Sequence, residues 1–160
     1  EWEKRGTKVM GISVDGVEEH KKWKGDIETF AGAKAGFPII ADNDLTVAKA
    51  FDMLPADAYM PDGRTPNDSA TVRAVFIIGP DKQLKLSMTY PMTVGRNFAE
   101  VLRALDGLQT STGKGVATPA NWNVGDDVII PATLSDDDAK AKFGDFNKIL
   151  PYLRTTKAPS

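Results

Sequence analysis

Two arginines stand where a cation is costly, and such positions are typical of residues that do chemistry. Arg73 lies inside the mostly apolar run at residues 71–78, which predicts a central strand, and a buried guanidinium needs paired acceptors. Arg96 directly precedes Asn97, the predicted N-cap of a helix, where the helix dipole disfavours a cation unless an anion is also present. The residue types leave a structural ion pair and an anion or thiolate pocket open for Arg73. They favour a solvated loop charge for Arg96.

Three further side chains have both a functional and a structural interpretation. His20 falls on the apolar face of a predicted helix, where a satisfied boundary histidine is favoured over a catalytic one. Asp81 belongs to the Gly-Pro-Asp-Lys sequence at residues 79–82 and is most simply a turn residue. Trp122 is either a packing anchor or an interface aromatic, and the enrichment of tryptophan at interfaces favours the second.

The composition excludes several kinds of chemistry. The 160 residues contain no cysteine and one histidine, so this chain alone has no disulfide, thiolate metal site or thiol redox catalysis, and little for a Ser-His-Asp hydrolase. A formal net charge of -2 gives no basic footprint for nucleic acid. No apolar run approaches the roughly 20 residues that span a bilayer. We expect a soluble, cytoplasmic protein with no cofactor, metal, nucleic-acid partner or stable membrane insertion.

The spacing of apolar residues predicts the elements that position these side chains. Residues 1–5 read like the last turn of a helix that Gly6 ends, which predicts a missing N-terminal portion. There follow a strand at residues 8–14, a helix from Val17 that the glycines at 32 and 36 end, a short strand at 37–40 and a helix around 45–51. Residues 55–69 predict a surface loop, and residues 71–78 and 83–90 an antiparallel hairpin. This order predicts a mixed sheet with a parallel part.

The C-terminal part differs in composition. A helix begins after Asn97, with Glu100 at the position of a capping-box partner and an apolar stripe behind it. Thr, Ser, Gly and Pro then dominate before a strand at residues 127–130 and a helix from Ser135 to about Phe143. We predict a core at residues 1–110 and a C-terminal extension at residues 111–160.

Four segments form a set with a known counterpart. Residues 8–15 end in Ile-Ser-Val-Asp, and residues 37–42 read Phe-Pro-Ile-Ile-Ala-Asp. Tyr90 and Pro91 are followed by Gly-Arg-Asn-Phe at residues 95–98, and residues 116–122 read Val-Ala-Thr-Pro-Ala-Asn-Trp. In this order they resemble the one-cysteine peroxiredoxins of the peroxiredoxin-6 type. Thr118 stands where the two-cysteine branch has its resolving cysteine.

The resemblance implies an α/β, thioredoxin-like peroxiredoxin fold that is N-terminally incomplete and has a small C-terminal extension. It implies that a full-length parent reduces hydrogen peroxide and organic hydroperoxides, and that an external thiol reductant restores its cysteine. Arg73 and Arg96 match the active-site arginines of the family. The cysteine loop of the family has no counterpart among these residues.

The resemblance also implies a homodimer formed through the C-terminal extension, with Trp122 and Tyr152 as interface anchors. Two alternatives remain open at this point. One is a non-catalytic dimerisation or binding scaffold. The other is a phospholipase A2-like activity of the parent, because Asp81 matches the aspartate implicated in that activity.

Overall fold

A computed structural model of the chain describes residues 1–54 and 70–159, and the loop predicted at residues 55–69 lies outside them. The chain divides into two compact units, Glu1–Arg96 and Asn97–Ser160. The helix that begins after Asn97 thus belongs to the C-terminal unit, whereas the sequence grouped it with the core. The predicted division into a core at residues 1–110 and an extension at residues 111–160 stays a prediction. No helix in the described parts of the chain is both long and apolar enough to cross a membrane.

The N-terminal unit contains the elements that the sequence predicts. Residues Glu3–Arg5 form one 3₁₀ turn, which Gly6 ends in the left-handed conformation at φ 62°. The others are β1 (Gly11–Ser13), α1 (Val17–Ala31), β2 (Ile39–Ala41), α2 (Thr46–Ala50), β3 (Arg73–Ile78) and β4 (Leu84–Tyr90).

Strands β1 and β2 pair in parallel, as the β-α-β pattern predicts, with Gly11 opposite Ile39. A Cβ at Gly11 would lie 3.3 Å from the Ile39 and Phe37 side chains, so this crossing favours glycine. Gly32 ends α1 at φ 63°, where glycine has no steric penalty. The parallel pairing of the prediction is confirmed.

Strands β3 and β4 form the predicted antiparallel hairpin, with Arg73 opposite Tyr90. Its turn is closed by the Lys82 amide, which donates to the Gly79 carbonyl at 2.9 Å. In the described parts of the chain, β1–β2 and β3–β4 are separate two-stranded ladders. Both the parallel and the antiparallel pairing of the predicted mixed sheet are thus present, although the described residues do not join the two ladders by hydrogen bonds.

A small core joins the ladders. Leu45, Ala48 and Met53 are buried, and apolar residues of β1 and β3 pack against them. The α1 helix is present, but its predicted buried stripe is largely uncovered, since Val17 is 57% exposed and Phe30 91% exposed. Only His20 on that helix is buried.

The C-terminal unit consists of α3 (Phe98–Ser111), β5 (Val128–Ile130), α4 (Asp136–Phe143), β6 (Asn147–Leu150) and β7 (Leu153–Thr156). The last three strands form an antiparallel sheet in the order β5-β7-β6. The predicted strand and both predicted helices are confirmed. Strand β7, close to the C-terminal end of the described residues, is the central strand of this sheet.

Trp122 corrects the interface prediction. Its side chain is 2% exposed and packs with Val116 and Val128 inside the C-terminal unit. The indole Nε1 donates to the Asp126 carbonyl at 3.2 Å, so the polar end of the ring is also satisfied. Trp122 is a packing anchor because the 116–128 loop folds around it, and interface enrichment alone could not distinguish the two roles.

Arg154 is the most heavily bonded buried side chain of this unit, and sequence reasoning missed it. It is 2% exposed, and its Nη1 donates to Asp136 Oδ1 at 2.8 Å. Its Nη2 donates to the carbonyls of Pro131 and Leu134, both at 2.8 Å, and its guanidinium lies 5.7 Å from the centre of the Phe146 ring. Arg154 thus connects β7, the 131–134 turn and the start of α4.

Replacing Arg154 with leucine should lower the free energy of unfolding by on the order of 3 kcal/mol, because a buried guanidinium and its hydrogen bonds to one carboxylate and two partly buried carbonyls are removed. Urea denaturation followed by tryptophan fluorescence measures this loss. Lys157→Leu is the matched control, since Lys157 pairs with Asp127 but its side chain is 83% exposed. Equal urea midpoints for wild type and Arg154→Leu would contradict the assignment.

The ion pairs of Asp136 make the C-terminal unit sensitive to acid. Hydrogen bonds from Lys148, and then from Arg154, lower the pKa of Asp136 from 3.8. A carboxyl with a depressed pKa stabilises the fold above its unfolded value, and this stabilisation is lost as the pH falls through the folded value. Asp136→Asn should therefore lower the melting temperature at neutral pH, and the difference from wild type should shrink as the pH falls below 3.8. Thermal unfolding across that range measures both effects, and a difference that is independent of pH would rule out the ion pairs as its cause.

Candidate active site

Arg73 is exposed, which corrects the prediction of a buried guanidinium on a central strand. The strand β3 that begins with Arg73 pairs only with β4 among the described residues. Its middle residues, from Ala74 to Ile77, are half-buried, while both ends are exposed. The apolar run therefore predicts the strand correctly but not its position in a sheet, because the run does not show that Arg73 is its first residue.

A single hydrogen bond orients the Arg73 side chain. Its Nε donates to the carbonyl oxygen of Met92 at 2.7 Å. Met92 lies in a turn that the Val94 amide closes by donating to the Pro91 carbonyl at 2.9 Å. Because Tyr90 is the register partner of Arg73, this turn begins directly beside the base of the arginine.

The acceptor of this bond is neutral, so it orients the guanidinium without cancelling its charge. The described residues offer the Arg73 Nη1 and Nη2 atoms no hydrogen-bond or salt-bridge partner. A structural ion pair, the first interpretation of Arg73, is therefore absent from this part of the chain. Arg73 therefore presents an exposed, positively charged guanidinium, here called the arginine fork. Its Nε is bonded to Met92, and its Nη1 and Nη2 atoms are open to a ligand.

Arg96 lies at the end of the segment that holds Arg73. Residues 91–96 are all exposed, and Met92 is the contact between that segment and the arginine fork. The structure thus attaches Arg73 to the stretch of chain that carries Arg96. Both arginines belong to the N-terminal unit.

The helix after Arg96 begins as predicted but with a different partner for Glu100. The Asn97 side chain accepts hydrogen bonds from the amides of Ala99 and Glu100. Glu100 does not complete a capping box, because its two carboxylate oxygens accept from Arg103 Nε at 2.6 Å and Arg103 Nη2 at 2.7 Å. A bidentate pair three residues apart is favoured over the single bond of the box.

His20 is buried, and its hydrogen-bond partner is the hydroxyl of Ser13. Its Nε2 lies 2.7 Å from Ser13 Oγ, and Ser13 Oγ donates to Asp15 Oδ2 at 2.8 Å. The Nδ1 atom is buried and has no partner among the described residues, and an orphaned lone pair costs less than an orphaned N–H, which favours the Nε2–H tautomer. In a Ser-His-Asp triad the carboxylate would bind Nδ1, so this chain of bonds fixes the end of β1 against α1 and is not a triad.

Asp81 is occupied by its own turn. Its Oδ1 accepts from the Gln83 amide at 3.2 Å, and its other oxygen pairs with the Lys85 ammonium. The hydrogen bond from Lys85, followed by that from Gln83, holds the pKa of the Asp81 carboxyl below its ordinary value. The structural interpretation explains each of these bonds.

The remaining chemistry is that of a cation without a nucleophile. The chain has no cysteine, and the described residues contain no cluster of three acidic or histidine side chains that could hold a metal ion. A guanidinium fork beside a cysteine lowers the thiol pKa and stabilises negative charge that moves onto a leaving oxygen. The site can therefore supply the positive charge and the hydrogen-bond donors of a thiol-dependent reaction, but not its nucleophile.

Comparison with protein families divides the chain into two matched regions. Residues 1–87 match the AhpC/TSA family. Residues 107–145 match the C-terminal domain of 1-Cys peroxiredoxin. The first match covers more than half of the chain.

Curated relatives agree with this division. The mitochondrial peroxiredoxin PRX1 of Saccharomyces cerevisiae is 51% identical over 161 residues, which cover 99% of this chain and 60% of the relative. Peroxiredoxin-6 of Gallus gallus is 46% identical over 169 residues, which cover 99% of this chain and 74% of the relative. The chain thus spans between three fifths and three quarters of the length of these two proteins.

Solved structures give the same result for the fold. A mutant of the peroxiredoxin 6 of Arenicola marina superposes with a TM-score of 0.87 at 42% identity, over 99% of this chain and 74% of that one. The yeast mitochondrial 1-Cys peroxiredoxin superposes with a TM-score of 0.86 at 50% identity, over 98% of this chain and 73% of that one. The predicted thioredoxin-like α/β fold is therefore confirmed, and the chain belongs to the 1-Cys peroxiredoxins of the AhpC/TSA family.

Proposed function

We propose that this chain forms the cationic side of the active site of a thiol-dependent peroxidase that reduces hydrogen peroxide and organic hydroperoxides. The observation that carries the proposal is the open Arg73 fork, whose one hydrogen bond to a described residue is to the neutral Met92 carbonyl. The nucleophilic cysteine must come from outside these 160 residues, because none of them is a cysteine. In the family resemblance, the cysteine-bearing helix precedes the strand that corresponds to β1.

The reaction proceeds by transfer of one oxygen to sulfur. The thiolate attacks the terminal peroxide oxygen, the O–O bond breaks, and the cysteine becomes a sulfenic acid while the other oxygen leaves as an alkoxide or hydroxide. The two Nη groups of Arg73 donate to the oxygen that acquires charge. A proton then converts the leaving group to alcohol or water, and Arg96 adds positive charge on the same segment.

An external thiol reductant reduces the sulfenic acid back to the cysteine thiol, with release of water and oxidation of the reductant to a disulfide, because this chain has no resolving cysteine. The study of the yeast relative describes thiol resolution through the glutathione and thioredoxin systems. For this chain we propose a reductant of the same class, which is a small or protein thiol. The cytoplasmic location stays a prediction, and the yeast relative bears a mitochondrial name.

The proposed enzyme acts as a homodimer, and the C-terminal sheet supplies a surface that supports this. Strand β6 lies at an edge of the sheet, and all four of its residues are exposed. Ile149 is 54% exposed and Tyr152, in the turn after it, is 67% exposed. An exposed edge strand that carries apolar side chains, as β6 does at Ile149 and Leu150, favours association with another chain. Tyr152 therefore stays a candidate anchor, whereas Trp122 does not.

The first test addresses Arg73 in a longer form of the protein that carries the cysteine segment. Arg73→Lys should slow peroxide reduction about tenfold or more, because a point charge does not reproduce the forked donor geometry. Stopped-flow measurement of the second-order rate constant with hydrogen peroxide gives the effect.

Lys85→Arg is the matched control, because it keeps the charge and the Asp81 pairing on the same hairpin. It should react at the wild-type rate. Near-normal kinetics in Arg73→Lys would exclude the proposed role.

The second test addresses the dimer. Ile149→Asp should weaken self-association about tenfold or more, because it places a charge in an apolar edge contact. Sedimentation velocity over a range of concentrations measures the dimer dissociation constant.

Val124→Asp is the control for the dimer test, since Val124 is also an exposed apolar residue of the C-terminal unit, at 71%. It should leave the dissociation constant unchanged. A monomeric wild type, or equal constants for the two variants, would contradict the proposed surface.

A further inference from the structure

One methionine lies next to the arginine fork and is open to solvent. Of the five methionines, Met53 is 5% exposed, Met92 46% and Met10 62%. Met92 is in the tight turn that the Val94 amide closes. Its thioether is therefore available to a small oxidant, as is that of Met10.

Among the described methionines, Met92 is the one with a guanidinium bonded to it. Arg73 Nε donates to the Met92 carbonyl at 2.7 Å. Covalent bond lengths keep the sulfur of a methionine within about 7 Å of its own carbonyl oxygen. The thioether therefore lies within about 10 Å of Arg73 Nε, and the two Nη atoms have no partner among the described residues.

We propose that Met92 is a modification site at which hydroperoxides form methionine sulfoxide, promoted by the Arg73 guanidinium. The sulfur lone pair attacks the terminal peroxide oxygen, the O–O bond breaks, and that oxygen stays on sulfur. Sulfur loses two electrons, the peroxide gains them, and the proton on the transferred oxygen passes to the leaving alkoxide or hydroxide. The Arg73 Nη donors stabilise the charge on the leaving oxygen, as they do for a thiolate attack.

The product changes the surroundings of Arg73. A sulfoxide oxygen is a strong hydrogen-bond acceptor, whereas a thioether is a weak one. The new oxygen accepts from the open Nη donors and competes with peroxide for them. Oxidation of Met92 therefore lowers peroxide reduction, and a methionine sulfoxide reductase restores it. This last consequence rests on the proposed function, whereas the oxidation itself does not.

The experiment uses the chain without any cysteine. The protein is treated separately with hydrogen peroxide and with tert-butyl hydroperoxide, and peptide mass spectrometry follows sulfoxide formation at each methionine. Met92 should oxidise at least about threefold faster than Met10 although it is less exposed, because only Met92 has the guanidinium beside it. Arg73→Gln should remove that advantage and leave the Met10 rate unchanged.

Met53 serves as the buried control and should remain unoxidised while the protein is folded. Met92 oxidation no faster than that of Met10 would overturn the proposal. So would a ratio of the two rates that Arg73→Gln does not change.

A second measurement tests the new contact. Phenylglyoxal modifies accessible arginines, and peptide mapping gives the rate at Arg73. Peroxide treatment should slow modification of Arg73 in the wild type but not in Met92→Leu, which cannot form the sulfoxide. Equal slowing in both proteins, or none in either, would overturn the proposed contact.

These outcomes are separate from those that test the peroxidase proposal. If Met92 oxidises slowly while Arg73→Lys impairs the cysteine-bearing form, the modification site fails and the peroxidase proposal stands. If Met92 oxidation depends on Arg73 while Arg73→Lys reduces peroxide normally, the peroxidase role fails and the modification site stands.

Discussion

The hydrogen bond from Arg73 Nε to the Met92 carbonyl determines what the N-terminal unit offers to a ligand. The hairpin register places Tyr90 opposite Arg73, so the turn after β4 returns to the base of the arginine. A carbonyl acceptor orients the side chain and leaves its charge whole, whereas a carboxylate would have neutralised it. Both the proposed peroxidase role and the proposed oxidation of Met92 depend on this one neutral contact.

The C-terminal unit uses an arginine in the opposite way. Arg154 is buried, and a carboxylate and two carbonyls take up its Nη donors. Nothing in its side chain distinguishes it from Arg73, but burial together with an anionic partner makes it a structural residue. The contrast supports the assignment of chemistry to Arg73, because an arginine that only stabilises the fold would be expected to find an anion, as Arg154 does.

Local patterns predicted most elements, and tertiary context decided the rest. The Gly32 stop, the Asn97 cap and the turn at residues 79–82 are short-range features, and each appears as predicted. Burial was predicted less well, because it depends on what packs against an element. Among the described residues β3 pairs only with β4, and the apolar stripe of α1 is largely exposed. Trp122 and Arg154 were misread or missed for the same reason, since their partners lie in loops whose paths the sequence pattern does not show. The role of Met92 has no side-chain signal, because its backbone carbonyl makes the contact.

Under the proposed function, Arg73 supplies to a cysteine outside these residues a positive charge that its described hydrogen-bond partner does not neutralise. A pH titration of thiolate absorbance, in a form of the protein that carries the cysteine segment, tests it most directly. The thiol pKa should lie well below the ordinary value of about 8.5 when Arg73 is present, and it should rise toward that value in Arg73→Gln. The same thiol pKa in both proteins would contradict it.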